Sequence, residues 1–272
     1  MNILYCGDKN IADGLMISVL SLLRQVKEPL HIYILTMSQA GCQPLPNELA
    51  EVLEKRVCPG GGTATLLDVS DLFTQQPPTA NLVTRFTPCC MLRLYADLLP
   101  EIPDRILYLD TDVVCRLDCR EFYEQDMGDA EVAGILDYYG SWFFRRNILR
   151  RDYLNSGVLL LNMKRIRQTG LFQKCRIRCA EKEMFMPDQS AINKLAIRKK
   201  ILPRRYNEQR KLHPDTVLQH FSTSFRFFPY IRTVTVKPWQ PDRMHEVLKL
   251  YEYDDLLEEF RQWKAENQPN FI

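Results

Sequence analysis

The amino-acid sequence predicts an α/β protein built around a mainly parallel, twisted β-sheet flanked by helices. Short apolar runs typical of buried strands alternate with stretches whose apolar residues recur at helical spacing, which is the pattern of right-handed βαβ units. The chain has 272 residues, of which 46% are apolar and 26% are charged. This length and composition are sufficient for one large domain with its own hydrophobic core.

The alternation of strands and helices begins at residue 2 and shows no internal repeat and no convincing linker. Strands are predicted at 2–6, 30–36, 63–69, 105–109, 131–136 and 153–162. Helices are predicted at 11–25, 47–56, 89–99, 171–183, 188–195 and 244–264. We therefore expect residues 1–272 to form a single domain with a less regular C-terminal third.

Bulk properties narrow the functional classes. The formal net charge is only +2, and no zinc finger, helix-turn-helix or aromatic platform supports a nucleic-acid partner. The nine cysteines lie scattered in apolar runs, which predicts reduced and mostly buried thiols in a cytosolic protein. The first residues lack the features of a signal peptide, and no stretch approaches the roughly 18 apolar residues of a membrane span, so a cytoplasmic location is predicted.

The strongest candidate for chemistry is the pair of carboxylates at the end of the strand 105–109. Asp110 and Asp112 are two residues apart in the segment Asp110-Thr111-Asp112, so in extended backbone their side chains point the same way. Two converging carboxylates need a proton or a cation, and hard oxygen ligands suit Mg²⁺ or Mn²⁺. Two alternatives remain, a solvated turn and the Asp-x-Asp of haloacid-type phosphohydrolases, in which Asp110 would be the nucleophile.

Polar residues interrupt two further strands. Asp8 follows the first strand, where a carboxylate is able either to bind a ribose or base, or to cap the helix that begins at Ile11. Asn155, Ser156 and Gly157 interrupt the apolar run 153–162. This interruption is explained either by close backbone approach to a ligand or by a β-bulge.

Two more positions have both a structural and a functional interpretation. Pro187 and Asp188 are typical of a helix start with Asp188 as the N-cap, while Asp188 and Gln189 are also able to bind ligand hydroxyls. His220, at the end of an apolar run, is either a core histidine or a metal ligand that meets Asp110 and Asp112 in space.

Taken in chain order, these elements resemble glycosyltransferase family 8, which includes bacterial lipopolysaccharide galactosyl- and glucosyltransferases and glycogenin. The resemblance covers residues 2–239. Its motifs are the opening strand with Asp8 and Asn10, Met91-Leu-Arg93-Leu-Tyr95, Leu107-Tyr-Leu-Asp110-Thr-Asp112, Asn155-Ser-Gly157 with Leu160-Leu-Asn162, Pro187-Asp188-Gln189, His220-Phe221 and Lys237-Pro-Trp239.

The resemblance implies a glycosyltransferase A-type fold. It divides the domain into a Rossmann-like nucleotide-sugar-binding half at 1–115, an acceptor-binding and metal-completing half at 116–240, and a helical tail at 241–272. It also implies retaining transfer of a hexose from UDP-glucose or UDP-galactose to a saccharide or glycolipid acceptor. The expected cofactor is Mn²⁺, with Mg²⁺ as the alternative.

The resemblance also assigns site residues. Asp110, Asp112 and His220 are implied as metal ligands, and Tyr5, Cys6, Asp8 and Asn10 as the uridine pocket. Arg93, Thr111, Asn155, Ser156 and Lys237 are implied to contact the rest of the donor. Asp137, Asp188 and Gln189 are implied at the sugar-binding catalytic face, and because glutamine is a poor nucleophile, same-face attack is favoured over a covalent intermediate.

Three features leave alternatives open. Residues 221–236 separate His220 from Lys237, whereas family members often have the two close together, so this insertion is a candidate for acceptor or partner binding. The basic segments 141–151 and 197–211 are either solvated faces or sites of peripheral contact with the inner face of an anionic membrane or with a charged glycolipid. A catalytically silent nucleotide-sugar-binding protein is the rival from another class, and the sequence does not indicate the oligomeric state.

Overall fold

The structure, a computed structural model, describes residues 1–39, 41–83, 88–138, 152–226 and 232–267. A seven-stranded sheet with the order β3-β2-β1-β4-β7-β6-β8 organises the chain. Its strands are β1 (Asn2–Cys6), β2 (His31–Thr36), β3 (Thr63–Asp68), β4 (Arg105–Leu109), β6 (Val132–Leu136), β7 (Leu154–Asn162) and β8 (Lys199–Ile201). Two small antiparallel pairs join β5 (Val113–Cys115) to β9 (Leu218–His220), and β10 (Ser224–Arg226) to β11 (Arg232–Val234).

The sheet is mainly parallel, as predicted. Strands β3, β2, β1 and β4 pair in parallel, and β8 pairs in parallel with β6. Only β7 runs in the opposite direction, antiparallel to both of its neighbours β4 and β6. The N-terminal end of β7 therefore lies at the same edge of the sheet as the carboxyl ends of β1, β4 and β6.

Helices cover both faces of this sheet and bury two apolar cores. The α-helices are α1 (Ala12–Gln25), α2 (Asn47–Val57), α3 (Ser70–Gln75), α4 (Arg120–Tyr123), α5 (Met163–Thr169), α6 (Leu171–Glu181), α7 (Pro187–Leu195), α8 (Pro241–Arg243) and α9 (Asp254–Asn267). Short 3₁₀ helices span Lys9–Ile11, Cys58–Gly60, Thr79–Asn81 and Arg204–Tyr206, and a longer one spans Pro88–Leu98. No helix among the described residues is both long and apolar enough to cross a bilayer.

Three sequence predictions need correction. The tail predicted as one helix at 244–264 is a π-helical turn, Met244–Leu248, followed by a break and then α9. The break follows Lys249, whose φ of 53° is left-handed and ends the helical turn. Residues 89–99 form a 3₁₀ helix, Pro88–Leu98, instead of an α-helix. Asp188 is not an N-cap, because α7 begins at Pro187 and Asp188 lies within its first turn.

The sheet explains why distant polar segments meet. Gly7 and Asp8 follow β1, Asp110 follows β4, and Asp137 follows β6. The antiparallel register places Leu109 of β4 opposite Val158 of β7, and the Asp110 backbone N–H donates to the Gly157 carbonyl at 2.8 Å. Ligand sites of open α/β sheets lie at this edge.

Candidate active site

Asp110 and Asp112 converge at the end of β4. The Asp110 carboxylate accepts a 2.6 Å hydrogen bond from the Tyr108 hydroxyl, two residues earlier on the same side of the strand. The Asp112 side chain is buried, and its backbone carbonyl accepts from Phe221 N–H at 3.0 Å. One carboxylate oxygen of Asp110 lies within 4.8 Å of one of Asp112, so the two side chains converge as expected. The backbone at Thr111 and Asp112 is a turn, however, instead of the extended strand on which the prediction was based.

His220 completes this group, although it follows Asp112 by more than one hundred residues in the chain. Strand β9 pairs with β5 so that His220 lies opposite Val113, the residue after Asp112. The His220 Nε2 atom is 3.2 Å from Asp112 Oδ1 and 3.7 Å from Asp110 Oδ2. Burial alone would lower the pKa of His220, but the Asp112 carboxylate raises it above its usual range.

Lys237 also reaches the carboxylates. Its Nζ forms an ion pair with Asp112 and donates to the Phe221 carbonyl at 3.2 Å. Burial would raise the pKa of Asp112, yet Lys237 and His220 together hold it well below its usual range. The insertion 221–236, which includes β10 and β11, separates Lys237 from His220 in the chain. Lys237 nevertheless lies beside Asp112, close to the end of β4. Residues 227–231 of this insertion, including Phe227, Phe228 and Tyr230, lie outside the described residues.

The donor set fits a hard divalent cation. One ligand atom from each of Asp110, Asp112 and His220 lies within 4.8 Å of the others. Two carboxylates and an imidazole are suitable ligands for Mn²⁺, and the cationic Lys237 already compensates part of their negative charge. Gly157 makes this packing possible, since a β-carbon there would be 2.3 Å from His220 Cε1 and 2.6 Å from Asp110 Oδ2.

Arg93 links Asp110, which follows β4, to Asp188 in helix α7. Its guanidinium is 3.2 Å from Asp110 Oδ1 and 3.3 Å from Asp188 Oδ2, and it stacks 3.7 Å from the centre of the Tyr108 ring. It also donates to the carbonyls of Cys90 and Ser156. Burial raises the pKa of Asp188, while Arg93 counteracts that effect. The arginine is therefore held rigidly, with its charge directed at the carboxylate edge.

Gln189 organises the opposite wall. Its Oε1 accepts from the Ser156 backbone N–H at 2.9 Å, and its Nε2 donates to Asp137 Oδ2 at 2.7 Å. Asp137 is itself anchored because its backbone N–H donates to the Tyr153 carbonyl at 2.9 Å. The structure thus brings together Asp137, Ser156, Asp188 and Gln189, as the resemblance implied.

The residues implied for the uridine pocket divide into two groups. Asp8 is buried, and its two carboxylate oxygens accept from the backbone and the side-chain amide of the exposed Asn10, so the two residues lie together at the edge of the sheet. Asp8 also caps the 3₁₀ helix Lys9–Ile11, so its structural role is real. Tyr5 points into the core, where its hydroxyl bonds Ser18 at 2.8 Å, and Cys6 is buried in the opposite core. Tyr5 therefore offers a ligand only its backbone.

Two supporting residues escaped sequence analysis. Asn207 donates to Asn155 Oδ1 at 2.9 Å, and its own Oδ1 is 3.2 Å from His220 Nδ1, so it connects the histidine to the strand β7 motif. Gly14 allows α1 to approach the aspartate turn, because a β-carbon there would lie 2.8 Å from the Thr111 carbonyl oxygen and 2.6 Å from the Trp239 ring. The alternation of side chains along β4 indicates from sequence that Tyr108 and Asp110 share one side of the strand. No local sequence pattern indicates a role for Asn207.

The basic segments have specific partners where they are described. Lys199 pairs with Asp152 at 2.7 Å, and Arg205 pairs with Glu121 at 2.7 Å. Arg204 forms ion pairs with Glu208 and Asp215. The other predicted basic segment, 141–151, lies outside the described residues. Part of the 197–211 segment is therefore a solvated face held by ion pairs.

The thiols are arranged as predicted. All nine cysteines are free, and seven of them are buried, with Cys58 exposed and Cys90 partly exposed. Burial raises the pKa of the Cys6 and Cys89 thiols. The prediction of mostly buried cysteines is confirmed.

Comparisons with known proteins identify the family that the chain resembles. The profile of Glycosyl transferase family 8 matches residues 2–243. The lipopolysaccharide 1,2-glucosyltransferase of Escherichia coli K12 is 27% identical over 222 residues, which are 76% of this chain and 62% of that protein. The lipopolysaccharide 1,3-galactosyltransferase of Salmonella typhimurium is 24% identical over 161 residues, which are 54% of this chain and 47% of that protein. The chain thus spans about half to three fifths of the length of these relatives.

The fold agrees as well. The galactosyltransferase LgtC, solved with donor and acceptor sugar analogues, superposes with a TM-score of 0.68 at 18% identity, covering 98% of this chain and 96% of that one. A family profile that matches nearly the whole chain, a shared fold, and two aspartates that meet a distant histidine at the sheet edge lead to one conclusion: the chain belongs to glycosyl transferase family 8.

Proposed function

We propose that this chain is a retaining, Mn²⁺-dependent hexosyltransferase that takes glucose or galactose from a UDP-sugar and transfers it to a saccharide or glycolipid. The convergence of Asp110, Asp112 and His220 is the observation on which this proposal depends. Their ligand atoms meet at the edge of the sheet where α/β proteins bind nucleotides. Family membership supports a glycosyl transfer reaction and argues against a haloacid-type phosphohydrolase.

The leaving diphosphate determines what the site must supply. A divalent cation held by Asp110, Asp112 and His220 would act there as a Lewis acid toward the negative charge that grows as the sugar–phosphate bond breaks. Lys237, which pairs with Asp112, and Arg93, which pairs with Asp110 and Asp188, would add positive charge near the leaving diphosphate. Arg93 is buried and held by five partners, so its orientation is set before the donor binds.

The sugar would lie against the wall formed by Asp137, Asp188 and Gln189. Both polar atoms of the Gln189 side chain are already hydrogen-bonded, and an amide is a poor nucleophile. Asp188 is buried in an ion pair with Arg93, which reduces its nucleophilicity. These contacts favour same-face attack by the acceptor, with Asp188 and Gln189 orienting the sugar as it gains oxocarbenium character.

A cleft of about 960 Å³ beside this wall is the proposed acceptor site. Asn207 lines it and also bonds Asn155 and His220, so one residue of the cleft wall contacts the metal-ligand group. Its rim includes the exposed side chains of Arg210, Lys211 and Lys249. The curated relatives are named for transfer to lipopolysaccharide, and a cationic rim suits an anionic glycolipid of that kind at a membrane surface.

The test measures UDP released from UDP-glucose and UDP-galactose with and without Mn²⁺. We expect UDP release to depend on Mn²⁺. Asp110→Asn and Asp112→Asn should each slow this release by an amount that corresponds to a loss of several kcal/mol of transition-state stabilisation, and both variants should remain folded. The matched control is Asp118→Asn, because the Asp118 carboxylate bonds the guanidinium and the backbone N–H of Arg120 at the protein surface. Donor binding without any release would favour the catalytically silent alternative, and release unaffected by the aspartate substitutions would refute the metal assignment.

A further inference from the structure

A second group of metal-ligating side chains lies at the same edge of the sheet. It consists of Asp8 after β1, Cys42 in the loop after β2, and Cys89 in the 3₁₀ helix Pro88–Leu98. All three are buried, and one ligand atom from each lies within 4.8 Å of the others. The two sulfur atoms are 3.4 Å apart. The residues come from three separate elements, so the tertiary fold alone assembles the group.

The donor chemistry differs from that of the Asp110 site. In a tetrahedral zinc site the metal–sulfur distance is about 2.3 Å, which separates two sulfur ligands by less than about 4 Å. The 3.4 Å sulfur separation falls within this range, and an Asp8 carboxylate oxygen lies within 4.8 Å of both sulfur atoms. Thiolates select thiophilic ions such as Zn²⁺, whereas Mn²⁺ and Mg²⁺ prefer oxygen ligands.

We propose that Asp8, Cys42 and Cys89 form a binding site for a thiophilic divalent cation of the Zn²⁺ class. Both thiols bind as thiolates, so each loses its proton to solvent as the metal–sulfur bond forms, and the Asp8 carboxylate supplies the third bond. Three protein ligands leave a fourth position for water.

The position of this site has a consequence for the donor, which rests on the function proposed above. Asp8 now accepts hydrogen bonds from Asn10, and both residues belong to the proposed uridine pocket. A bound metal would occupy the Asp8 carboxylate, which could then no longer contact the uridine. It would also link the loop that contains Cys42 to the 3₁₀ helix that contains Cys89 and Arg93. We therefore expect an occupied site to weaken donor binding.

Cobalt(II) distinguishes the two metal sites, because only a thiolate-containing site gives an intense thiolate-to-cobalt charge-transfer band. The full chain, kept reduced with a phosphine, is titrated with CoCl₂ and then with ZnCl₂. We expect the band to saturate near one equivalent of Co²⁺ and to disappear on addition of Zn²⁺. Absence of the band from the unsubstituted protein overturns the proposal without reference to any variant.

Cysteine variants locate the site. Cys42→Ser and Cys89→Ser should each abolish the band at one equivalent, and Cys42→Ala, which adds no polar group to the buried position, should do the same. Cys58→Ser is the matched control and should keep the band, because Cys58 is exposed in a separate 3₁₀ helix. Circular dichroism confirms that each variant is folded. A band that survives in folded Cys42→Ala or folded Cys89→Ser contradicts the assignment.

Donor binding is measured separately by calorimetry with UDP in excess Mn²⁺. One equivalent of Zn²⁺ should raise the apparent Kd for UDP at least tenfold in the unsubstituted protein and have little effect in Cys89→Ser. An unchanged Kd in the zinc-loaded protein overturns the coupling to the donor. Failure of UDP to bind even without Zn²⁺ would count against the proposed transferase function, and the cobalt band would still decide the metal site.

Discussion

Gly157 lies so close to His220 that a β-carbon at position 157 would be only 2.3 Å from the His220 Cε1 atom. The same β-carbon would be 2.6 Å from Asp110 Oδ2. Strand β7 thus passes directly behind the group formed by Asp110, Asp112 and His220. The absence of a side chain at residue 157 is a condition for that group to form.

Gly157→Ala should therefore damage the site while leaving most of the sheet intact. The added methyl group must displace His220 or Asp110, so we expect Mn²⁺-dependent UDP release to fall by about tenfold or more, which is a loss of roughly 1.4 kcal/mol or more. Gly60→Ala is the control, because a β-carbon there meets no atom within 4 Å. Equal activity of Gly157→Ala and Gly60→Ala would show that UDP release does not require His220 at its observed position.

Asn207 is expected to act as a positioning residue through His220. Its Oδ1 lies 3.2 Å from His220 Nδ1, and loss of such a partner weakens metal binding by about 10- to 100-fold. Asn207→Ala should raise the Mn²⁺ concentration needed for half-maximal activity by that factor, with activity largely restored at saturating Mn²⁺.

The control for Asn207 is Asn267→Ala, the same chemical change at a helix end, where the side-chain amide donates to the Trp263 carbonyl. A purely structural role for Asn207 would lower the melting temperature without changing the Mn²⁺ dependence. That outcome would contradict its assignment to the metal site.

Much of the fold was predictable because it depends on local patterns. Apolar runs that stop at Asp8, Asp110 and Asp137 marked the strands β1, β4 and β6. The convergence of Asp110 and Asp112 was expected from extended backbone, but it arises in a turn at Thr111 and Asp112. Parallel strands then bring these ends to one edge of the sheet. Helix α5 was missed although Asn162 caps it by accepting from Arg165 N–H at 3.1 Å, because the apolar run of β7 ends at the same residue.

The remainder depends on contacts between segments distant in the chain. His220 reaches Asp112 only because β9 pairs with β5, and three-residue strands have almost no sequence signature. Lys237 returns to Asp112 after the insertion 221–236, a path that no local pattern specifies. Asn207 lies between predicted elements, and its role depends entirely on where Asn155 and His220 are placed by the sheet.

A buried ion pair outside the site should determine much of the stability of the helix that contains Arg93. Arg176 of α6 pairs with Asp97 and donates to the Leu94 carbonyl and, at 2.9 Å, to Gln76. Its side chain is only 3% exposed. Arg176→Met leaves the Asp97 carboxylate buried without its partner, so the free energy of unfolding should fall by about 3–5 kcal/mol in urea titrations.

The control for Arg176 is Arg198→Met, since Arg198 and Asp129 form an exposed pair with 3.9 Å between their charged atoms. This change should alter the free energy of unfolding by about 1 kcal/mol or less. Similar losses from the two substitutions would show that the buried pair does not hold the helix.

Cysteine reactivity should follow exposure and thiol pKa. Cys58 is exposed, whereas burial raises the pKa of the Cys6 and Cys89 thiols and keeps them protonated at neutral pH. Because the thiolate is the nucleophile, iodoacetamide at pH 7 should modify Cys58 first. The reaction at Cys6 and Cys89 should remain slow when the pH is raised to 9. Peptide mass spectrometry identifies the sites, and rapid modification of Cys89 in the folded protein would contradict the buried arrangement.

The most direct test of the metal-dependent donor site is a thermal-shift comparison of the unsubstituted protein with Asp112→Asn, each with UDP-glucose or UDP-galactose, with and without Mn²⁺. A ligand that binds only the native state at about 100 times its Kd stabilises it by about 2.7 kcal/mol, which is several degrees in Tm for a domain of this size. We predict a rise in Tm that requires both donor and Mn²⁺ and is lost in Asp112→Asn. The same rise without Mn²⁺, or an undiminished rise in Asp112→Asn, would contradict the account.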